Sequence, residues 1–198
     1  KAKRAAALAD RGLIVLLRGA TIGPEAARRL PAALQDPMLG CVEPRFLCGD
    51  NSGIVALPPD HREGRLLSRR LVAALPAAYV SYDHLAACLY VDRLLIANLP
   101  DDIFDDAGSG EEAVAILVTE ARRRGFRTVV DNRHFAEVTS ARYAYPELAP
   151  DAVERFRARY PEYNEAMRRL AELPHRRVPW THLDHRRSQH QGRRGTHL

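Results

Sequence analysis

Two apolar runs of strand length limit the folds open to this chain more than any other feature. Leu13–Leu17 and Ala86–Val91 are too short for a buried helix but suit strands of a sheet that is covered on both faces. Amphipathic helices are predicted beside them, over Ala26–Leu34 behind Pro24 and over Glu111–Arg124. Buried strands that alternate with helices predict an α/β fold, with helices flanking a sheet. We expect Leu13–Leu17 to lie inside a parallel part of that sheet.

The helix over Glu111–Arg124 carries both a start and a stop signal. Ser109 and Glu112 have the pattern of a capping box, in which the serine caps the first turn and the glutamate reaches back to it. Gly125 stands where helices commonly end in a left-handed residue, and Phe126–Val130 follows as a strand. The other predicted elements are a hairpin over Cys41–Pro58, a helix over Arg65–Leu75, and helices over Asp151–Tyr160 and Glu162–Leu173.

The net charge of +5 belongs to the C-terminal segment of the chain. Residues 174–198 hold six Arg and one Asp, so the remainder is neutral. Nucleic-acid-binding domains place Lys and Arg on a folded face among aromatic side chains, and we therefore predict no nucleic-acid partner. The segment also holds five of the eight His at irregular spacing. It is predicted to be a flexible tail, after a body at residues 1–140 and a helical extension at 141–173.

The cysteines and the hydropathy predict the compartment. Cys41, Cys48 and Cys88 are odd in number and lack metal-type spacing, which is typical of free thiols in a reducing compartment. The sequence has no run of about eighteen apolar residues, the length that a membrane-spanning helix needs. We therefore predict a cytoplasmic protein without a transmembrane segment.

Three segments in a fixed order resemble one enzyme family. They are GCVEPRF at residues 40–46, AACLYVDR at 86–93 and SGEEAVAILVTEARRRGFRTVV at 109–130, with an acidic loop before the last. Their order and spacing resemble the second half of the catalytic domain of family 2 glycosyltransferases, over residues 1–140. The resemblance implies a GT-A fold, a nucleotide-sugar donor and a hydroxyl acceptor. It also implies transfer with inversion at the sugar carbon.

The resemblance assigns roles to the acidic residues. The acid pair that opens the family's helix supplies the general base and corresponds to Glu111 and Glu112, with Glu112 in the position of the base. The acidic loop that helps to hold the acceptor corresponds to Asp101, Asp102, Asp105 and Asp106. Sugar transfer needs a base for the acceptor hydroxyl, together with compensation of the charge on the departing diphosphate. A capping role for Glu112 stays open beside the catalytic one, since carboxylates favour helix N-termini.

The chain departs from the family at the expected metal site. The family's DxD loop holds Mg²⁺ or Mn²⁺ against the diphosphate, but the matching Arg18–Thr21 has no carboxylate, so a cation would need other carboxylates. Either Arg18 neutralises the diphosphate directly, or catalysis is lost and the GT-A-like domain binds or scaffolds. The family's late metal-binding His aligns near Ser140, and His134 lies upstream as a candidate displaced into that role.

Two further alternatives stay open. If the chain, which begins at Lys1 and not at Met, is a piece of a longer polypeptide, the donor-binding half of a GT-A domain precedes it. If it is whole, nucleotide binding must use other elements. The run Asp101–Asp106 also resembles the aspartate-rich motif of isoprenyl diphosphate synthases. Those enzymes consist of long antiparallel helices, and the buried strands predicted here argue against that fold.

Overall fold

A computed structural model describes residues 12–49, 53–56, 65–67, 69–81 and 85–162. Residues 1–158 form one compact unit, and of the second unit, 159–198, residues 159–162 are described. The predicted tail and nearly all of the predicted helix Glu162–Leu173 lie outside the described residues. Within the described ranges, every helix is too short or too polar to span a bilayer.

The fold is α/β, with a mixed, nearly closed, barrel-like sheet and helices packed on it. The strands are β1 (Gly12–Leu16), β2 (Ala20–Ile22), β3 (Leu39–Cys48), β4 (Ile54–Ala56), β5 (Arg65–Leu67), β6 (Ala78–Ser81), β7 (Cys88–Asp92) and β8 (Arg127–Val138). They are ordered β1-β7-β3-β4-β5, and β8 pairs with β2, β3 and β6. The α/β prediction is therefore confirmed, while the GT-A arrangement stays a prediction.

Two long parallel strands, β3 and β8, form the centre of the sheet. Each changes its outer neighbour part-way along. The first half of β3 pairs with β7 and the second half with β4, whereas β8 pairs first with β6 and then with β2. Two half-sheets therefore share one central pair of strands.

The register between β3 and β8 shifts where the neighbours change. Pro44 lies opposite Asp131, but the next residue, Arg45, lies opposite Phe135, so residues 132–134 bulge out of the ladder. We call residues 43–45 of β3 and 131–135 of β8 the seam. Pro44 has no N–H to offer a neighbour, which suits a position between two partner strands.

The described helices are α1 (Pro24–Arg29), which continues as a 3₁₀ turn (Leu30–Ala33), α2 (Arg69–Ala73), α3 (Arg93–Asn98), α4 (Gly110–Arg123) and α5 (Pro150–Arg159). Helix α4 begins and ends as predicted. Ser109 Oγ accepts a hydrogen bond from the Glu112 N–H at 3.0 Å, and Gly125 is left-handed with φ +85°. The Glu112 side chain accepts from the Gly108 N–H, one residue further back than in a capping box.

A small apolar cluster holds α1 against the sheet beside β8. Leu30 and Ala33 pack there with Val42, Tyr90 and Val129, and all five are buried. Complete burial of a leucine side chain contributes about 1.5–3 kcal/mol. The cluster therefore anchors the 3₁₀ turn that follows α1 on the sheet.

Three predictions about elements are wrong in part. The run Leu13–Leu17 does not lie inside a parallel sheet, because β1 pairs antiparallel with β7 at the end of the described strand order and stays partly exposed. Residues 65–75 form β5 and the short α2, where one helix was expected. Strand β8 runs through polar residues to Val138, since β3 offers it a backbone partner on both sides of the bulge.

Candidate active-site edge

The N-terminus of α4 lies against the end of β1. A methyl group on Gly110, the first residue of α4, would lie 3.1 Å from Leu17 Cδ2. Leu17 directly precedes Arg18. The elements that carry Arg18 and the acid pair Glu111–Glu112 are therefore neighbours.

Glu112 is buried, with only 2% of its surface exposed, and both of its carboxylate oxygens accept hydrogen bonds. Oε2 accepts from the Gly108 N–H at 2.9 Å and from Arg155 Nη2 at 2.8 Å. Oε1 accepts from Arg155 Nε at 3.2 Å. The Arg155 guanidinium thus donates two parallel hydrogen bonds to the Glu112 carboxylate.

Arg155 belongs to α5 and also bonds Asp151 Oδ2, one turn earlier, at 2.8 Å. Its hydrogen bonds lower the pKa of Glu112 with help from the Gly108 N–H, while burial opposes the change. The two carboxylates raise the pKa of Arg155 in turn. A general base needs a free lone pair and a pKa near the working pH. In this arrangement Glu112 is an ionised anchor between α4 and α5.

Arg18 is exposed at the tight turn between β1 and β2. Gly19, the next residue, has φ +85°, as the third position of a type II turn requires. The Tyr143 ring packs on Gly19, and the Arg142 guanidinium lies 4.8 Å from the centroid of that ring. A second guanidinium therefore lies near the turn that carries Arg18.

The acidic loop presents its carboxylates to solvent directly before α4. Asp101, Asp102, Asp105 and Asp106 are exposed, whereas Ile103 is buried and anchors the loop. Glu111 is partly exposed in the first turn of α4. The loop and Glu111 thus face water, and Glu112 is turned inward.

The residues at the family's metal position do not fit a divalent cation. The turn at Arg18–Thr21 has no carboxylate, and the described part of the chain has no group of three or more His, Cys, Asp or Glu side chains placed to hold a metal ion. Ser140 precedes a 3₁₀ turn (Ala141–Tyr143) and brings no imidazole. His134 is engaged through Nδ1 with Asp131 Oδ2 at 2.6 Å.

A buried polar network occupies the seam. Arg45 donates from Nε to Asn132 Oδ1 at 2.7 Å and from Nη2 to the Tyr79 hydroxyl at 2.6 Å. Burial alone would lower the pKa of Arg45, but the nearby phenols of Tyr79 and Tyr145 and the Glu43 carboxylate outweigh it and raise the pKa. Burial also raises the pKa of Tyr79 and, further, that of Tyr145. The network therefore pairs a charged guanidinium with neutral phenols.

The sequence analysis did not single out Arg155 or Arg142, and within the seam it named only His134 as a candidate functional residue. Asp151 and Arg155 have the spacing of an exposed helical ion pair, which gives no sign of the bond to Glu112. A usable signal for the seam was the charged and proline-containing stretch Glu43–Arg45 within an otherwise apolar strand.

No protein-family model matches the chain, and no curated protein and no solved structure is significantly similar to it.

Proposed function

We propose that the chain is part of a GT-A domain of the family 2 glycosyltransferase type, which moves a sugar from a nucleotide-sugar donor to an acceptor hydroxyl with inversion. The contact between Gly110 and Leu17 supports this proposal. It brings the acids that open α4 next to the turn that carries Arg18. We infer that carboxylates for an acceptor and guanidinium groups for a diphosphate lie along this edge.

In the proposed reaction, a carboxylate at the start of α4 takes the proton of the acceptor hydroxyl. The acceptor oxygen attacks the sugar carbon from the face opposite the diphosphate. The bond to the diphosphate breaks, and its electron pair leaves with the nucleoside diphosphate. Arg18 and Arg142 compensate the leaving charge, since guanidinium groups bind phosphate bidentately.

Glu112 is the first candidate for the base, with Glu111 beside it and the loop aspartates toward the acceptor. For Glu112 to accept a proton, the guanidinium of Arg155 has to release at least one of its oxygens. Arg155 is 47% exposed and belongs to a different helix, so such a release needs no opening of the sheet.

A second candidate function is binding without catalysis. The bonds between Glu112 and Arg155 favour it, because a carboxylate with both oxygens engaged and a lowered pKa is a poor base near neutral pH. The same edge would then bind a nucleotide sugar or scaffold a partner.

Thermal shift and product release together test the two functions in the full chain. Nucleoside diphosphates and nucleotide sugars are screened with and without Mn²⁺, since a ligand of the native state raises the melting temperature by mass action. Release of nucleoside diphosphate is then measured for the wild type, Glu112→Gln and Glu154→Gln. Glu154 is exposed on α5 and is the matched control.

Sugar transfer predicts that Glu112→Gln slows the release of nucleoside diphosphate by about 10²–10⁴-fold, which is the usual contribution of a general base to the rate. Donor binding should persist. Glu154→Gln should leave both unchanged, and release should continue in EDTA. Donor binding without release by the wild type would support the second function. Absence of any thermal shift across the panel would contradict sugar transfer and nucleotide-sugar binding and would favour a scaffold.

A further inference from the structure

A cleft of about 700 Å³ opens between α1 and the seam. Glu25, Arg29 and Gln35 line it from α1 and the segment that follows, while Arg133 and His134 line it from the bulge of β8. It shares no lining residue with the edge that carries Arg18 and Glu112. The cleft is therefore a separate candidate site.

A buried carboxylate orients the histidine of this cleft. Asp131 is fully buried, and its Oδ2 lies 2.6 Å from His134 Nδ1. Its Oδ1 accepts the Arg133 backbone N–H at 2.8 Å. A carboxylate oxygen accepts this hydrogen bond, so Nδ1 carries a proton and donates it to Asp131. In the imidazolium form the other ring nitrogen, Nε2, also carries a proton, which it can donate to an anionic ligand.

The bulge that carries the histidine is held from inside the sheet. Asn132 accepts from Arg45 Nε at 2.7 Å and donates from Nδ2 to the Pro76 carbonyl at 2.6 Å. Bulges interrupt a ladder and commonly re-aim side chains beside functional sites. Here the buried bonds of Asn132 fix the loop geometry, and the two residues that follow it, Arg133 and His134, line the cleft.

The donors in the cleft suit an oxyanion. Arg29 and Arg133 line it from different elements, and a guanidinium can donate two parallel hydrogen bonds to a phosphate. Arg133 Nε lies 3.5 Å from Oδ1 of the buried Asp131, so its two Nη atoms are the donors that it offers a ligand. Glu25 pairs with Arg29 at 2.8 Å, but both side chains are more than half exposed. Such a surface pair contributes little, so a ligand can displace it.

We propose that this cleft binds the phosphoryl group of a small phosphomonoester, held by the guanidinium groups of Arg29 and Arg133 and by His134 Nε2. A phosphoryl group offers three acceptor oxygens to these three donor groups, whereas a carboxylate offers two. The proposal stands apart from sugar transfer, because its residues are not those of the α4 edge.

Titration with methyl phosphate and with inorganic phosphate tests the site in the full chain. The Kd is measured by calorimetry, and the imidazole resonances of His134, assigned by comparison with His134→Gln, are followed by NMR. We expect saturable binding that shifts these resonances. Arg29→Gln and Arg133→Gln should each raise the Kd about tenfold through lost charge-assisted hydrogen bonds. Glu25→Gln removes a competing carboxylate and should lower the Kd about twofold.

Arg28→Gln is the matched control, because Arg28 is exposed on α1 but does not line the cleft. Circular dichroism checks that each variant is folded. An equal loss of affinity in Arg28→Gln and Arg29→Gln would overturn the proposal, since non-specific electrostatic attraction to the basic surface would then explain the binding. Acetate binding as tight as methyl phosphate, or no saturable shift at His134, would overturn it as well.

Discussion

The thiols of Cys41 and Cys88 lie in the core, where a thiolate would lose its hydration. Burial raises the pKa of each to about 12, so the reactive thiolate is nearly absent at neutral pH. Cys48, at the end of β3, is partly exposed. The three cysteines are therefore expected to differ in reactivity although they are the same residue type.

We expect Ellman's reagent at pH 8 to modify Cys48 quickly and to leave the other two thiols intact until denaturant is added. The absorbance time course gives the stoichiometry, and Cys48→Ser should remove the fast phase. Rapid modification of three thiols in the folded protein would contradict this burial.

Gly19 is a second residue where the backbone decides the outcome. Its φ of +85° is left-handed, and a methyl group there would lie 3.1 Å from the Tyr143 ring. Gly19→Ala should therefore destabilise the fold by about 1–2 kcal/mol. Gly23→Ala is the control, since Gly23 is extended and its methyl would meet no atom within 4 Å. Urea unfolding of both variants measures the difference, and equal losses would contradict the strain at Gly19.

At the level of elements, the bonds of Arg155 tie α4 to α5 in a way that depends on pH. The folded-state pKa of Glu112 lies below its ordinary value of 4.5, so its contribution to stability is complete above pH 4.5 and is lost as the pH falls through the folded-state value. The free energies of unfolding of the wild type and Glu112→Gln should therefore differ at pH 7 and converge on acidification.

Chemical denaturation at a series of pH values measures this convergence. Arg155→Gln should behave like Glu112→Gln, because either change breaks the same pair. Glu154→Gln should follow the wild type at every pH. A difference between wild type and Glu112→Gln that stays constant down to pH 3 would show that the carboxylate charge has no part in this junction.

The elements that the sequence predicted well are those whose signals are local. Ser109 and Gly125 mark the ends of α4 because a cap needs one side chain and one backbone conformation. The direction of β1 depends on its neighbour β7, whose sequence lies far along the chain. Strand β8 was expected to end at Val130, because its ladder with β3 cannot be inferred from polar residues alone.

The same limit applies to the candidate edge. The acid pair and Arg18 are recognisable by type and order, and the Leu17 side chain lies close to Gly110, so the elements that carry them are neighbours. What holds Glu112 is Arg155, from a helix whose approach is a property of tertiary packing. Residue type therefore predicted the Glu112 carboxylate but not its ion pair with Arg155. That ion pair decides whether Glu112 can accept a proton or only joins the two helices.

For the whole molecule, the central pair β3 and β8 joins distant parts of the chain. Cys41 pairs with Thr128 and Cys48 with Val138, and residues 49–126 lie between the two strands in sequence. Long sequence separation slows folding, because the loop must close before its contacts form.

During synthesis on the ribosome, β3 emerges well before its partner. It can pair early with β4, the next strand in sequence, but its opposite edge stays open until residue 138 has left the exit tunnel. An open apolar edge is a template for association with other chains. Translation of the segment between the two strands is thus the interval in which a nascent chain of this protein depends most on chaperones.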